Sequence, residues 1–405
     1  MHKIERLLQT LAPKGVEFRK LGEVINILKG KQLNKELLLD YGEYPVMNGG
    51  IHASGYWNEY NTDYPKIIIS QGGASAGYVN YMTSKFWAGA HCYAIELNSE
   101  KLNYKFLYYF LKNSQTILMK SQFGAGIPAL NKADIETLTI PIPPLEVQQE
   151  IVKILDAFTE LNTELNTELK ARKKQYQYYQ NMLLDFNDIH SNHQDAKERL
   201  VQKTYPKNLK TLLQTLAPKG VEFRKLGEML EYDQPNKYCV TSKEFDKSYP
   251  TPVLTAGKTF ILGYTNEKDN IYQASKSSPV IIFDDFTTAT QWVDFPFKVK
   301  SSAMKILLPK NPAINIRFIF FYMQTIPYNI SGEHTRQWIS RYSQITIPIP
   351  PLEIQQEIVK ILDQFSILTT DLLAGIPAEI KARKKQYEYY REKLLSFKPL
   401  IPQRS

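Results

Sequence analysis

Two stretches of the chain interleave cations with tyrosines in almost the same order. They are Lys170, Arg172, Lys173 and Lys174 within KARKKQYQYY, and Lys381, Arg383, Lys384 and Lys385 within KARKKQYEYY. A basic, aromatic helix face suits phosphates or an acidic protein surface, and a solvated face is its plain structural alternative. Elsewhere the chemistry on offer is polar recognition. Gln71, Ser75, Tyr78, Tyr81, Lys85 and Trp87 follow the apolar run Ile67, Ile68, Ile69. Thr287, Thr288, Thr290, Trp292, Lys298 and Lys300 follow its counterpart Ile281, Ile282, Phe283. A later loop adds Asn131 and Lys132 in one case, and Arg336, Gln337, Trp338 and Arg341 in the other. Amide, hydroxyl and cationic groups suit base edges and phosphates, and Gly72, Gly73 and Gly126 allow close approach. Taken singly, each of these residues fits a structural role at least as well.

Catalytic arrangements fare worse. Phe123-Gly124-Ala125-Gly126 resembles a cofactor loop, but such a loop follows a strand and opens a helix, and here Ile127-Pro128 follows. His190 and His193 have ligand spacing yet sit in a polar stretch without cysteine or clustered acids, which reads as a solvated linker. Asp284-Asp285 looks like a metal-binding pair, but its counterpart is Ser70-Gln71. A duplicated nuclease would not lose its ligands in one copy, so a loop role is expected. No phosphate-binding Walker loop or nucleophile elbow occurs. The chain is expected to be no enzyme by itself.

The elements that must position these residues are written twice. Residues 7–23, LLQTLAPKGVEFRKLGE, recur unchanged at 212–228, and TIPIPPLEVQQEIVKILD at 139–156 recurs at 346–363 with one change. Between these blocks the halves diverge, although YPVMNGG at 44–50 still matches TPVLTAG at 251–257. One scaffold therefore carries two different surfaces. Strand and turn signals fill each mixed domain, with one amphipathic helix near 104–119 and another at 316–323. The PIPPLE blocks mark boundaries, because proline is tolerated at a helix start and not later. After the first block, Val147, Ile151, Ile154, Phe158, Leu161 and Leu165 form a heptad seam on a helix roughly 60 Å long. Ile354, Ile358, Ile361, Phe365, Leu368 and Leu372 repeat it, with a break expected at Gly375-Ile376-Pro377. Two such seams most simply pack on each other, antiparallel if the duplication folds as a pseudo-twofold dimer. The alternative is that each helix lies on its own domain.

The chain has 405 residues, with 50 Lys and Arg against 41 Asp and Glu, a formal charge of +9. That excess points to a polyanionic partner or simply to a basic soluble protein. Cys92 and Cys239 alone can build no disulfide framework and no zinc site. The charged N-terminus MHKIERLLQTLAP does not fit a signal peptide, and no apolar run reaches membrane-spanning length. A cytoplasmic protein is expected, with no membrane partner.

These features resemble the specificity subunits of type I restriction–modification systems. The likeness covers essentially the whole chain and rests on Pro141-Ile142-Pro143-Pro144-Leu145-Glu146 with Gln148-Gln149-Glu150-Ile151, and on the copy from Pro348 to Ile358. The LGE block and Gly30-Lys31 fit the family's opening. Two departures are the Gln-Gln pairs, where the family usually shows Glu-Gln, and the Gly-Ile-Pro insertion. The resemblance implies an α/β (α+β) architecture, with two target recognition domains separated by two long antiparallel coiled-coil helices. It places recognition domains at 1–143 and 211–350, spacer helices at 144–190 and 351–405, and a linker at 191–210. Each domain would read one half of a bipartite, asymmetric site on double-stranded DNA. The helices would carry two methyltransferase subunits, which bind S-adenosylmethionine, and optionally restriction subunits using ATP and Mg; this chain itself would hold no cofactor. A coiled-coil adaptor for two unrelated protein ligands is the alternative. A fused modification enzyme lacks its catalytic motifs.

Overall fold

The computed structural model describes residues 2–124, 128–190, 195–255, 259–327, 336–370 and 375–399. Gly126, His193 and Leu372 lie outside the described residues. Strands of the first half are β1 (Glu17–Lys20), β2 (Ile25–Lys29), β3 (Tyr44–Met47), β4 (Gly55–Trp57), β5 (Lys66–Ser70), β6 (Val79–Met82), β7 (Trp87–Ala88), β8 (Cys92–Leu97) and β9 (Thr139–Ile142). They form a four-stranded sheet in the order β2-β8-β5-β6, a three-stranded sheet β4-β3-β7 and the pair β1-β9. Strands of the second half are β10 (Glu222–Lys225), β11 (Leu230–Asp233), β12 (Thr251–Leu254), β13 (Ile261–Thr265), β14 (Val280–Asp284), β15 (Thr290–Val293), β16 (Lys298–Val299), β17 (Met304–Pro309) and β18 (Thr346–Ile349). Their orders, β11-β17-β14-β15, β13-β12-β16 and β10-β18, repeat the first topology step for step.

The reason that topology survives divergence lies in the central strands. Successive side chains of a strand point to opposite faces. Ile67 and Ile69 of β5 enter the core shared with the Tyr104–Asn113 helix, while Ile68 enters a second core with Met47 and Phe86. On β14, Ile281 and Phe283 face the core shared with the Ile316–Met323 helix, and Val280 and Ile282 face the other. A strand buried on both faces tolerates only apolar residues, so its sequence reads as a continuous run. The first amphipathic helix ends at Asn113 and restarts at Gln115, so the expected 104–119 helix is broken at Ser114.

The proline blocks work as joints. Pro141 lies opposite Phe18 in the β1-β9 pair and Pro348 opposite Phe223 in β10-β18, each in a two-stranded sheet where a missing N–H is tolerated. Gln148 is fully buried, donates to the Pro143 and Lys101 carbonyls and accepts from the Asn103 N–H. Gln355 likewise donates to the Pro350 carbonyl and accepts from the Asn315 N–H. Asn103 and Asn315 in turn cap the two amphipathic helices. One buried amide in each half thus ties the long helix to its domain.

The chain forms two compact units, Met1–Asn166 with Glu379–Ser405, and Thr167–Ala378. The division falls inside the 40-residue helix Leu145–Leu184 and not at the expected linker. Of the expected linker, the described residues 195–210 carry the Ala196–Gln202 helix, and Leu200 and Tyr205 are buried. His190 is half-buried and stacks on Phe223 at 4.3 Å, so the solvated reading of that histidine is also corrected.

The second seam is interrupted as expected, with helices at Leu352–Thr370 and Ile376–Leu394. Each unit pairs one seam helix with the basic helix written in the other repeat. In the first, Phe158 stacks on Tyr390 at 5.6 Å, and Leu394 and Leu395 join the core of Val147, Ile151 and Leu155. In the second, Tyr179 stacks on Phe365 at 5.0 Å, and Leu183 and Leu184 join the core of Ile354, Ile358 and Leu362. Both orders are those of antiparallel pairs. Within each unit the seam therefore meets a basic helix and not the other seam as expected, while its first turns bury in the domain as the alternative has it.

Candidate nucleic-acid interface

In the first unit, β5 runs into the loop 71–78, which is stitched to the segment 128–130. The Leu130 N–H donates to the Gln71 carbonyl at 2.8 Å, and the Gly73 N–H donates to the Pro128 carbonyl at 2.8 Å. Gly73 has φ +79 and open space where a side chain would stand, a backbone that favours glycine. Gln71 is thereby brought beside Asn131, the residue before the short Lys132–Glu136 helix, and the Gln71 side-chain oxygen is buried. Lys132 is exposed and pairs with Glu136 at 3.3 Å. Tyr78 lies under the Lys112 ammonium, 4.0 Å from its ring centroid. Burial, with help from the Arg391 charge, lowers Lys112 to about 8.

His91 and Asn48 also belong to this loop cluster. The His91 N–H donates to Asn48 Oδ1 at 3.1 Å, its carbonyl accepts from the Gln71 N–H at 2.9 Å, and its ring borders Gly72. Asn48 directly follows β3 and His91 directly precedes β8, strand ends that carry no local sequence signature.

Tyr81 is not part of that surface. It lies opposite Ile67 across β5-β6, which turns it toward the helix. There it packs against Tyr108 at 4.9 Å and under Lys105 at 4.3 Å. Lys85 and Trp87 sit beside the smaller sheet: Lys85 donates to the Tyr60 hydroxyl at 2.7 Å and Trp87 to the Lys31 carbonyl at 3.1 Å.

In the second unit the corresponding turn is built on two carboxylates. Asp284 accepts from the Phe286 and Thr287 N–H groups at 2.9 and 3.2 Å and from the Thr287 hydroxyl at 2.6 Å. Thr288 has φ 61, a strained conformation for a β-branched residue. Asp285 accepts from the Trp338 N–H at 2.8 Å, and its carbonyl accepts from the Gln337 N–H at 2.8 Å. The loop role expected for the aspartates is thus given definite partners. Thr290 opens β15. Thr287, Arg336 and Arg341 are exposed around the turn, whereas Gln337 and Trp338 are 2% exposed and face inward. These two are supports, not readers. Trp292, opposite Ile281, packs under Arg317 at 4.5 Å as Tyr81 packs under Lys105.

Lys298, expected among the residues suited to DNA, is no surface cation. It is 1% exposed, pairs with Glu267 at 2.8 Å and donates to the Asp269 carbonyl at 2.9 Å. Burial opposes the Glu267 charge, but Lys298 and donors from Thr241 and Ser242 outweigh it and hold that carboxyl down at about 2. Lys300, by contrast, is exposed, with its ammonium 5.5 Å from the Phe245 ring centroid.

The basic helix runs present Lys170, Lys173 and Lys174, and Lys381, Lys384 and Lys385, to solvent. Arg172 and Arg383 pair with Glu168 and Glu379, each at 3.6 Å. Among the described residues no group of three or more His, Cys, Asp or Glu could hold a metal ion, and no helix is long and apolar enough to cross a membrane.

Two domains of one topology, with unlike loops on a duplicated frame, define a two-headed recognition protein. A family profile described as type I restriction modification DNA specificity domain matches residues 13–174 and again 218–382. The chain belongs to this family of non-catalytic specificity subunits. It is 31% identical over 417 aligned positions to a Haemophilus influenzae protein named as a type I restriction enzyme specificity subunit, covering 97% of this chain and 98% of that one. It is 55% identical over 188 residues to the Escherichia coli EcoR124I/EcoR124II specificity subunit, a match spanning 44% of this chain and under half, 45%, of that protein. The fold matches that of a type I restriction–modification S subunit from M. genitalium with a TM-score of 0.62 at 22% identity, over 96% of this chain and 97% of the other.

Proposed function

We propose that each unit reads one half of a bipartite, asymmetric sequence on double-stranded DNA, while the chain carries two copies of a methyltransferase subunit. The observation carrying this reading is a contrast between kept and changed parts. Topology and joints are duplicated almost unchanged, but the loops after β5 and β14 share no recognition chemistry. A protein that reads one sequence twice would not need two such loops. The exposed Asn131 and Lys132, beside the loop after β5, would face one half-site, and Thr287, Arg336 and Arg341 the other. Such contacts divide into phosphate anchors and base readers.

Partner binding draws support from surfaces that duplication keeps alike. The basic runs are one; the clefts lined by Leu11, Pro13 and Leu145 and by Leu216, Pro351 and Leu352 are another. Equal surfaces suit equal partners. S-adenosylmethionine would reside on the methyltransferase, and ATP with Mg on a restriction subunit where one joins; the assembly would act in the cytoplasm. Exchanging residues 24–138 for another such domain, then sequencing the methylated motif in cells, tests the reading. One half-site should change. A change in both halves would sink the one-domain, one-half-site assignment.

A further inference from the structure

The two recognition loops are latched to the rest of their domains at equivalent positions but by different chemistry. In the first unit the described latch is mainly backbone: Leu130 to Gln71, Gly73 to Pro128, and the bridge of Gly72 with Ala129. Beneath it lies a neutral pair, with the Gln71 side chain beside Tyr93 on β8, whose hydroxyl donates to the Leu130 carbonyl at 3.3 Å. In the second unit the structural counterparts of Gln71 and Tyr93 are Asp285 and Lys305. Their side chains are 3% and 2% exposed, with Lys305 Nζ 3.7 Å from Asp285 Oδ2. Lys305 also donates to Gln234 and lies 4.5 Å from the Tyr232 ring centroid.

A buried charge pair is costly unless each member is satisfied, and removing one partner leaves the other uncompensated. Here Asp285 bridges three elements. Its one oxygen accepts from the Trp338 N–H, its other faces Lys305 of β17, and its carbonyl holds the Gln337 N–H. Trp338 then packs edge-on against Phe283, 5.3 Å between centroids, at the end of β14. The strained turn carrying Thr287 and the segment carrying Arg336 and Arg341 are therefore held in mutual register through one carboxylate.

Resting on the functional reading above, we propose that Asp285 and Lys305 are the positioning pair of the second recognition domain. They set the spacing between the Thr287 turn and the Arg336–Arg341 segment, and hence the half-site that this domain reads. Neither touches DNA. In the first domain the uncharged Gln71 and Tyr93 stand at those positions, with the Tyr93 hydroxyl on the Leu130 carbonyl, so its latch carries no buried charge to compensate.

The test uses the full chain co-expressed with its methyltransferase subunits and reads the methylated motif by methylation sequencing. Lys305→Met leaves Asp285 buried without its cation. Discrimination at one or more positions of the second half-site should fall about tenfold or more, with the first half-site unchanged. The double variant Asp285→Asn with Lys305→Met restores neutrality, keeps an acceptor for the Trp338 N–H, and should recover most of that discrimination. It also keeps the proposal testable if the single variant fails to fold. Equal loss at both half-sites in folded protein, unchanged discrimination in the single variant, or no recovery in a folded double variant would each overturn it. The domain exchange at residues 24–138 fails or succeeds independently of these variants, so a wrong functional reading is separable from a wrong pair.

Discussion

Each unit carries an aromatic residue on the strand after its recognition loop, a cation on its amphipathic helix and an aspartate on its long helix. In the first, Tyr81 lies 4.3 Å from Lys105, which pairs with Asp156 at 3.5 Å. In the second, Trp292 lies 4.5 Å from Arg317, which pairs with Asp363 at 2.7 Å. At the loop itself, and on β8 and β17, the equivalence of chemical type ends: Gln71 with Tyr93 stands where the second unit has Asp285 with Lys305. Divergence is thus graded by distance from the helices. Contacts that hold a domain on its helices keep their kind; contacts that shape a loop do not. Selection for a constant frame and for changeable readers would leave this gradient.

Arg317 and Lys105 give the sharpest way to break the comparison. Arg317 is the better-embedded cation: its side chain is 20% exposed, it meets Asp363 through two nitrogens, and it lies over Trp292, Phe320 and Phe321. Lys105 is 31% exposed, and its aspartate is nearer solvent. Arg317→Met should cost about 2 kcal/mol, from lost cation–π and charge-assisted contacts. Lys105→Met should cost about 0.5 kcal/mol, as for an exposed pair. Denaturant melts of the two variants measure both. Equal costs would show that the second relay is not the stronger one.

The second unit also holds a carboxylate that is strongly acid-shifted. Glu267 is depressed from 4.5 to about 2 in the folded chain. A carboxyl whose folded value is lowered stabilises fully above its unfolded value, and that contribution disappears as pH falls through the folded value. The second unit should therefore lose stability between about pH 4.5 and 2. Glu267→Gln should be less stable at neutral pH, because Lys298 stays buried, and its acid slope in that window should be shallower. Thermal melts at a series of pH values check this. An unchanged slope in the variant would mean that another carboxylate dominates.

Much of this frame was legible in the sequence because duplication is legible. The buried strands, the proline joints, the seams and the break before Ile376 all follow from local pattern. What was not legible depends on pairing across distance. Where the long helix changes allegiance is decided by Leu183 and Leu184 finding Ile354 and Ile358, and no residue near 166 marks that point. Lys298 reads as a surface lysine until Glu267 is seen beside it. Tyr81 and Trp292 are a different case. Strand alternation with Val79 places Tyr81 inward, so for it the signal was present and the loop-like polarity of its neighbours outweighed it, whereas Trp292 is turned inward by its register opposite Ile281.

The smallest expected effect separates the surface lysines by their surroundings. An exposed lysine that neutralises one phosphate contributes about 0.9 to the slope of log affinity against log salt. Lys300 is exposed, has no described carboxylate partner, and flanks the smaller sheet of the second unit. Lys300→Ala should lower the slope by about 0.9 and weaken all sequences alike. Lys85 shares its field with Asp63 at 3.8 Å and its hydrogen bond with Tyr60, so Lys85→Ala should change the slope by less. Lys298→Ala should leave the slope unchanged while lowering stability, because its ammonium is spent on Glu267 inside the fold. Titrations over a range of salt, with methyltransferase subunits bound, rank the three. If Lys300→Ala relaxed one base position and left the slope intact, that lysine would be a base reader, and the distinction drawn here between anchors and readers would fail for it.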